Sequence, residues 1–151
     1  MARHPKQPTL RERALRLLAR REHSRAELAR KLKEHTRPED DLEALLEDLL
    51  QRKLLSNERY AESRVHSLSR KFGAARIAHE LRAKGLDKGL AEQAAKAARA
   101  TELERAREIW RRKFRVAPRT REERARQMRF LQSRGFSFDA IRAVVGSPGE
   151  D

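Results

Sequence analysis

The sequence predicts an all-α chain built from three tandem three-helix, helix-turn-helix-like units. Three observations carry this. Apolar residues recur at intervals of three and four along most of the chain, the period of a helix with one buried face. Val and Ile are sparse, and no stretch alternates with period two, so strand signals are nearly absent. The leucines Leu32, Leu81 and Leu131 stand 49 and 50 residues apart, a near-constant spacing that reads as a repeat.

Each helix has its own signature. Leu10, Ala14, Leu17 and Leu18 form the first apolar face, with Thr9 in front of it as a cap. Leu28 and Leu32 mark the second helix, opened by Ser24-Arg25-Ala26-Glu27. That pattern fits a capping box, in which a hydroxyl and a carboxylate satisfy orphan backbone donors reciprocally. The third helix carries Leu42, Leu45, Leu46, Leu49 and Leu50, and Pro38 is placed to open it. Tyr60, Ala61, Val65 and Leu68 define the fourth, with Asn57 as its cap.

Ile77 and Leu81 define the fifth helix, with Gly73 near its start. The sixth holds Leu90, Ala94, Ala97 and Ala98 behind Asp87. Leu103, Ala106, Ile109, Trp110 and Phe114 form the seventh, opened by Thr101-Glu102-Leu103-Glu104. Thr120-Arg121-Glu122-Glu123 opens the eighth, which holds Met128 and Leu131. Ile141, Val144 and Val145 belong to a short ninth. Gly85 and Gly135 fall just past the fifth and eighth helices, where a left-handed C-cap favours glycine. The helices group as 9–55, 57–98 and 101–146. The polar ends 1–8 and 147–151 are expected to be loose.

Composition agrees with small stacked units. Of 151 residues, 38% are hydrophobic and 40% charged, too few apolar groups for one thick core. Three-helix units bury little alone, which favours contact between neighbours. The net charge is +14 at a pI near 11.2, and Arg supplies 28 of the 37 basic residues. Arginine's rigid fork suits phosphate and carboxylate, so the implied partner is nucleic acid, an acidic protein surface, or both. Residues 99–134 hold 13 Arg or Lys against five Glu, whereas 39–48 (EDDLEALLED) are acidic. The contact is therefore expected to be directional. Glu104 and Glu108 beside Arg105 and Arg112 read as helical ion-pair partners.

Several classes of chemistry are not indicated. Without cysteine there are no disulfides or thiolate metal sites. His4, His23, His35, His66 and His79 have no metal-binding spacing and read as exposed polar residues. No glycine precedes a Lys-Ser or Lys-Thr pair, so there is no phosphate loop. No catalytic residue, metal or cofactor is expected. Trp110 and Phe114 read as core residues in preference to base-stacking groups, and Tyr60 as core in preference to a contact. The start of the chain lacks a signal-peptide pattern, and no run reaches the length of a membrane span, so a cytoplasmic protein without membrane contact is expected.

LLSNERYAESRV (54–65), FGAARIAHELRAKGL (72–86) and RGFSFDAIRAVV (134–145) together resemble the RecX family of bacterial recombinase regulators. The matched positions are Asn57-Glu58-Arg59-Tyr60-Ala61, Gly73, Arg76-Ile77, Glu80-Leu81, Lys84-Gly85-Leu86 and Arg134-Gly135-Phe136-Ser137. Asn57 stands where many relatives have Asp. The resemblance implies an elongated, curved array of three repeats. It also implies a protein without a catalytic site that lies in the groove of the RecA filament on single-stranded DNA, bridging protomers. There it would restrain filament growth, ATPase, strand exchange and coprotease activity.

Charge pattern and resemblance together give the candidate contact residues Arg59, Arg76, Arg82, Lys84, Arg105, Arg112, Arg119, Arg126 and Arg134. The expected partner is the RecA filament, with at most weak, salt-dependent contact to single- or double-stranded DNA, and the chain is expected to be a monomer. The alternative reading is a helix-turn-helix-like nucleic-acid-binding protein acting independently of RecA.

Overall fold

The computed structural model describes residues 7–146, and among these residues it contains nine α-helices and no strand. They are α1 Leu10–Arg20, α2 Arg25–Lys33, α3 Leu42–Gln51, α4 Asn57–Leu68, α5 Ala74–Ala83, α6 Lys88–Arg99, α7 Glu102–Lys113, α8 Arg121–Ser133 and α9 Phe138–Val145. Of the two expected loose ends, residues 1–6 and 147–151 lie outside the described residues. Gln7 accepts a hydrogen bond from the Arg37 guanidinium.

Each consecutive helix triplet has its own core. In α1–α3 it is built of leucines, among them Leu28, Leu32, Leu46 and Leu49, all without exposed surface. In α4–α6 it is Tyr60, Ile77, Leu81 and Leu86 against Ala91, Ala95 and Ala98. The small alanines let α6 lie close to α4 and α5, and Tyr60 is core. In α7–α9 it is Ala106, Leu131, Phe136, Ile141 and Val145, with Trp110 and Phe130 half-buried at its edge. Trp110 donates its indole N–H to Gln127 Oε1 at 2.7 Å, and Phe114 stands edge-on to Phe130 at 5.4 Å. Both aromatics therefore pack within the third unit.

The second helices of the second and third units end alike. After α5, Gly85 N–H bonds Arg82 O and Leu86 N–H bonds Leu81 O; after α8, Gly135 bonds Gln132 O and Phe136 bonds Leu131 O. This is the Schellman pattern, with glycine left-handed at φ +89° and +84° and an apolar residue turned back into the core.

Three of the predicted helix starts differ from the structure. Ser56, not Asn57, caps α4, accepting from Arg59 N–H at 3.2 Å. Asn57 is thereby free to bond elsewhere. Thr101 makes no backbone cap, because its hydroxyl accepts from Arg105 Nε. Pro38 does not open α3. Asp40 closes a turn onto Arg37 N–H, and Asp41 caps the helix at Ala44 N–H. The carboxylates also depart from the box pattern. Glu27 turns to Arg21, and Glu123 accepts from Arg119 N–H.

The units are joined by one device used twice. The first turn of a helix leaves backbone N–H groups without intrahelical partners. At α2 the Arg25 N–H is satisfied by Asn57 Oδ1 at 2.8 Å, and at α5 the Ala74 N–H by Glu102 Oε1 at 3.0 Å. Asn57 and Glu102 are the first residues of α4 and α7. The return bond also repeats. Ser24 Oγ donates to Lys84 O at 2.9 Å, and Gly73 N–H donates to Arg134 O at 2.8 Å. Ser24 and Gly73 precede α2 and α5; Lys84 and Arg134 follow α5 and α8. The first two second helices, α2 and α5, are thus each capped by the unit that follows. Among the described residues, no hydrogen bond or ion pair links the first unit to the third.

The joint requires close backbone approach. A Cβ on Gly135 would lie 2.2 Å from Arg76 Cβ and 2.6 Å from its N, and one on Gly85 would lie 2.4 Å from Ala26 Cβ. Arginines reinforce it. Arg59 bonds Glu22 Oε1 and Lys53 O, both at 2.8 Å, between the first and second units. Arg105 reaches Ser69 O at 2.9 Å, Ala98 O at 2.7 Å and Phe72 O.

His23 is buried, not exposed as predicted. It sits at the α1–α2 turn, Nδ1 against Arg21 O at 3.1 Å and Nε2 against Lys31 Nζ at 3.0 Å. Burial lowers its pKa, so the ring is neutral with Nδ1–H donating and Nε2 accepting. Nearby, Arg21 donates twice to Glu27, at 3.0 and 2.8 Å. Those bonds hold the Glu27 carboxyl at about 2, against an opposing push from burial.

Three outcomes follow from this packing. Gly135→Ala forces both a left-handed alanine and a clash with α5, and should lower unfolding free energy by at least about 2 kcal/mol in urea titration. Leu81 has no exposed surface, so Leu81→Ala should cost roughly 2–5 kcal/mol by the same measurement. Glu27 has a folded pKa below its ordinary 4.5, so its stabilisation is complete above that pH and is lost as pH falls toward 2. Acid titration of the urea midpoint should show Glu27→Gln removing part of the pH dependence in that window, on the order of 1–3 kcal/mol.

Candidate interface at the second joint

The joint between the second and third units builds a basic, aromatic-floored cleft. Its walls come from the end of α4, from α7 and from the end of α8. A hollow of about 390 Å³ is lined by Arg70, Lys71, Ile109, Arg112, Lys113, Phe130 and Arg134. A neighbouring one of about 610 Å³ shares Arg70, Ile109 and Arg112 and adds His66, Ser69, Arg105 and Glu108. The first has five cations and no acid.

Cations and rings alternate across the joint. The Arg76 guanidinium lies 4.8 Å from the Phe72 centroid, and that of Arg134 lies 5.8 Å from Phe72 and 5.2 Å from Phe130. Lys113 Nζ is 5.6 Å from Phe130. The order is Arg76, Phe72, Arg134, Phe130, Lys113. Each ring face steadies a cation without neutralising it, worth about 0.5–1 kcal/mol at exposed sites. The ladder holds like charges close together: Arg76 is answered by Glu80, whereas among the described residues Arg134 and Lys113 have no ion pair.

The predicted contact residues separate into three groups. Arg59 and Arg105 are struts of the joints. All three guanidinium nitrogens of Arg105 are bonded, its donors spent mainly on carbonyls, and burial lowers its pKa. Arg76 and Arg134 do both jobs. Arg76 pairs with Glu80 at 3.0 Å, reaches Ser133 O at 3.3 Å, and ends the ladder. Arg134 offers its carbonyl to Gly73 and its side chain to the cleft. Arg82, Arg112, Arg119 and Arg126 are exposed, and Lys84 is half-buried. Arg112 carries an exposed pair with Glu108 at 3.2 Å, worth little against solvent screening.

Arg112 and Arg134 are the predicted residues that line the cation-only hollow. Arg70, Lys71 and Lys113 were missed, as were the rings Phe72 and Phe130. A signal existed. Lys71-Phe72, Lys113-Phe114 and Arg129-Phe130 each set a cation beside a ring. Which rings face which cations depends on how two units meet, and neighbour order along the chain does not contain that.

Among the described residues no group of three or more His, Asp or Glu side chains is placed to hold a metal ion, and no helix is long and apolar enough to cross a membrane.

Comparison with known proteins accounts for nearly the whole chain. Models of the first, second and third three-helix domains of RecX match residues 11–49, 56–94 and 100–145. The chain is 52% identical over 145 residues to the regulatory protein RecX of Leptothrix cholodnii, covering 96% of this chain and 92% of the relative. It is 44% identical to that of Herminiimonas arsenicoxydans, covering 96% of each. A crystal structure of RecX from Lactobacillus salivarius superposes with a TM-score of 0.75 at 23% identity, over 90% of this chain and 92% of the other, and shows the same fold. Three domain matches in order and close full-length relatives place this chain in the RecX family of regulatory proteins.

Proposed function

We propose that this chain is a non-enzymatic regulator that lies along the groove of the RecA filament on single-stranded DNA. There it restrains filament growth, ATPase, strand exchange and coprotease activity. Membership in the RecX family supports RecA as the partner. The observation that carries the mode of action is the cation-only cleft at the second joint, set in a serial array of fixed units. A filament repeats its subunits at constant spacing. An array of rigid units can meet several of them, and many modest contacts then add up without a deep pocket. The cations suit acidic filament surface, with at most weak, sequence-tolerant contact to DNA backbone, and both weaken with salt. The proposed action on RecA implies a cytoplasmic location.

The helix-turn-helix alternative requires a helix that presents base-reading side chains to the major groove. The N-terminal turns of α2 and α5 are covered by the following unit. The third helices are poor readers: α3 is acidic, α6 is rich in alanine, and α9 has one arginine. These features favour the RecA reading.

The test is to titrate the protein into RecA assembled on single-stranded DNA, following ATP turnover and filament length. Inhibition is expected. The charge reversal R70E/R112E should raise the concentration needed by roughly tenfold or more while circular dichroism stays unchanged. Wild-type protein without effect on either readout would defeat the proposal. Full inhibition by R70E/R112E would defeat the assignment of the cleft. Tight, sequence-dependent duplex binding in a mobility-shift assay would favour the alternative.

A further inference from the structure

The first unit holds a second basic groove of different chemistry. It runs between α1 and α2, has a volume of about 320 Å³, and is walled by Arg13, Arg16, Arg20 and Lys31 over a floor of half-buried Leu17, with the buried Leu32 beneath. Arg13, Arg16 and Arg20 lie at i, i+3 and i+7, one stripe spanning about 10 Å of helix. Among the described residues none of the three makes an ion pair or a side-chain hydrogen bond. Elsewhere in this unit arginines do find carboxylates: Arg11 pairs with Asp48, Arg21 with Glu27 and Arg25 with Glu43. Glu34, the one carboxylate lining the groove among the described residues, lies 3.2 Å from Nε2 of the neighbouring His35. Lys31 is held by Nε2 of the buried His23 at 3.0 Å, with Glu27 at 4.0 Å, which fixes one wall.

We propose that this groove docks an acidic peptide segment that inserts an aliphatic side chain between α1 and α2. Charge complementarity sets the sign of the partner: unpaired arginines along one wall call for carboxylates. The floor sets its class. Bases of a single-stranded nucleic acid stack best on Phe, Tyr or Trp rings, and this groove has none of these, its one ring being the His35 imidazole that lies against Glu34. Half-buried Leu17, flanked by the aliphatic stems of Arg13, Arg16 and Lys31, instead offers an aliphatic slot, the kind that receives a leucine or methionine anchor of an amphipathic helix. The cleft at the second joint, floored by Phe130, is the aromatic counterpart. The two basic surfaces are therefore built for different occupants, and this groove stands independently of the RecA reading.

The test is fluorescence anisotropy on the full chain. The probe is a labelled helical peptide with leucine at every fourth position and glutamate between. Expected are saturable binding that weakens with salt, a loss of roughly tenfold or more in R13E/R16E, and little change in R70E/R112E. Replacing the peptide's glutamates by glutamine, or its leucines by serine, should each abolish most of the binding. Circular dichroism checks that R13E/R16E keeps its helices, and Arg20→Glu alone provides a milder variant on the same stripe. Equal binding by wild type, R13E/R16E and R20E overturns the proposal. So does an oligothymidine probe whose binding is lost in R13E/R16E while the acidic peptide fails to bind.

Discussion

The fold depends on the capping of α2 and α5 by the unit that follows each of them. A helix start is an electrostatic liability when buried, because its first N–H groups point at whatever covers them. Here the cover supplies the acceptor. Asn57 Oδ1 meets Arg25 N–H, and Glu102 Oε1 meets Ala74 N–H. In return the end of the next second helix presents a carbonyl, Lys84 O or Arg134 O, to the residue before the capped helix. Three small cores that bury little apiece are thereby fixed in series. The glycines at the contact follow from the same demand, since only backbone without Cβ comes close enough.

The joint also organises the charge. A chain with a net charge of +14 repels itself. Part of that cost is offset by tying arginines into the joints as struts, the exposed Arg59 at the first and the half-buried Arg105 at the second. Another part is spread over rings, in the ladder from Arg76 to Lys113. Of what remains, two groups line hollows: the cations over Phe130 at the second joint and an arginine stripe beside Leu17 in the first unit. A regulator of a polymer needs a rigid span and weak contacts distributed along it. The same hydrogen bonds supply the span and place the contacts.

The architecture was legible in the sequence because it rests on periodicity. Helical spacing found all nine helices, and Leu32, Leu81 and Leu131 marked equivalent, fully buried positions. The left-handed glycines after α5 and α8 were legible for the same reason: their demand is local. What crossed between units was not. Asn57 and Glu102 look like ordinary residues at helix starts, and only the packed structure shows that each caps a neighbour. Arg105 looked like surface charge, because a residue type says nothing of the carbonyls that a second unit brings to it. His23 looked exposed because its partners, a backbone carbonyl and Lys31, have no signature as a motif. Lys71-Phe72, Lys113 and Phe130 come from three separate stretches of the chain, and only the folded structure brings them to one joint.

Residue-resolved amide hydrogen exchange under native conditions tests the joint most directly. Arg25, Gly73 and Ala74 have N–H groups at helix starts that would exchange freely in isolated units, as that of Arg121 is expected to at the start of α8, where no following unit supplies an acceptor. The account predicts that the first three are protected close to the level of the helix interiors while Arg121 is not. Exchange of Arg25 and Ala74 at the rate of Arg121 would contradict it, and would mean that the three units are strung together without being locked.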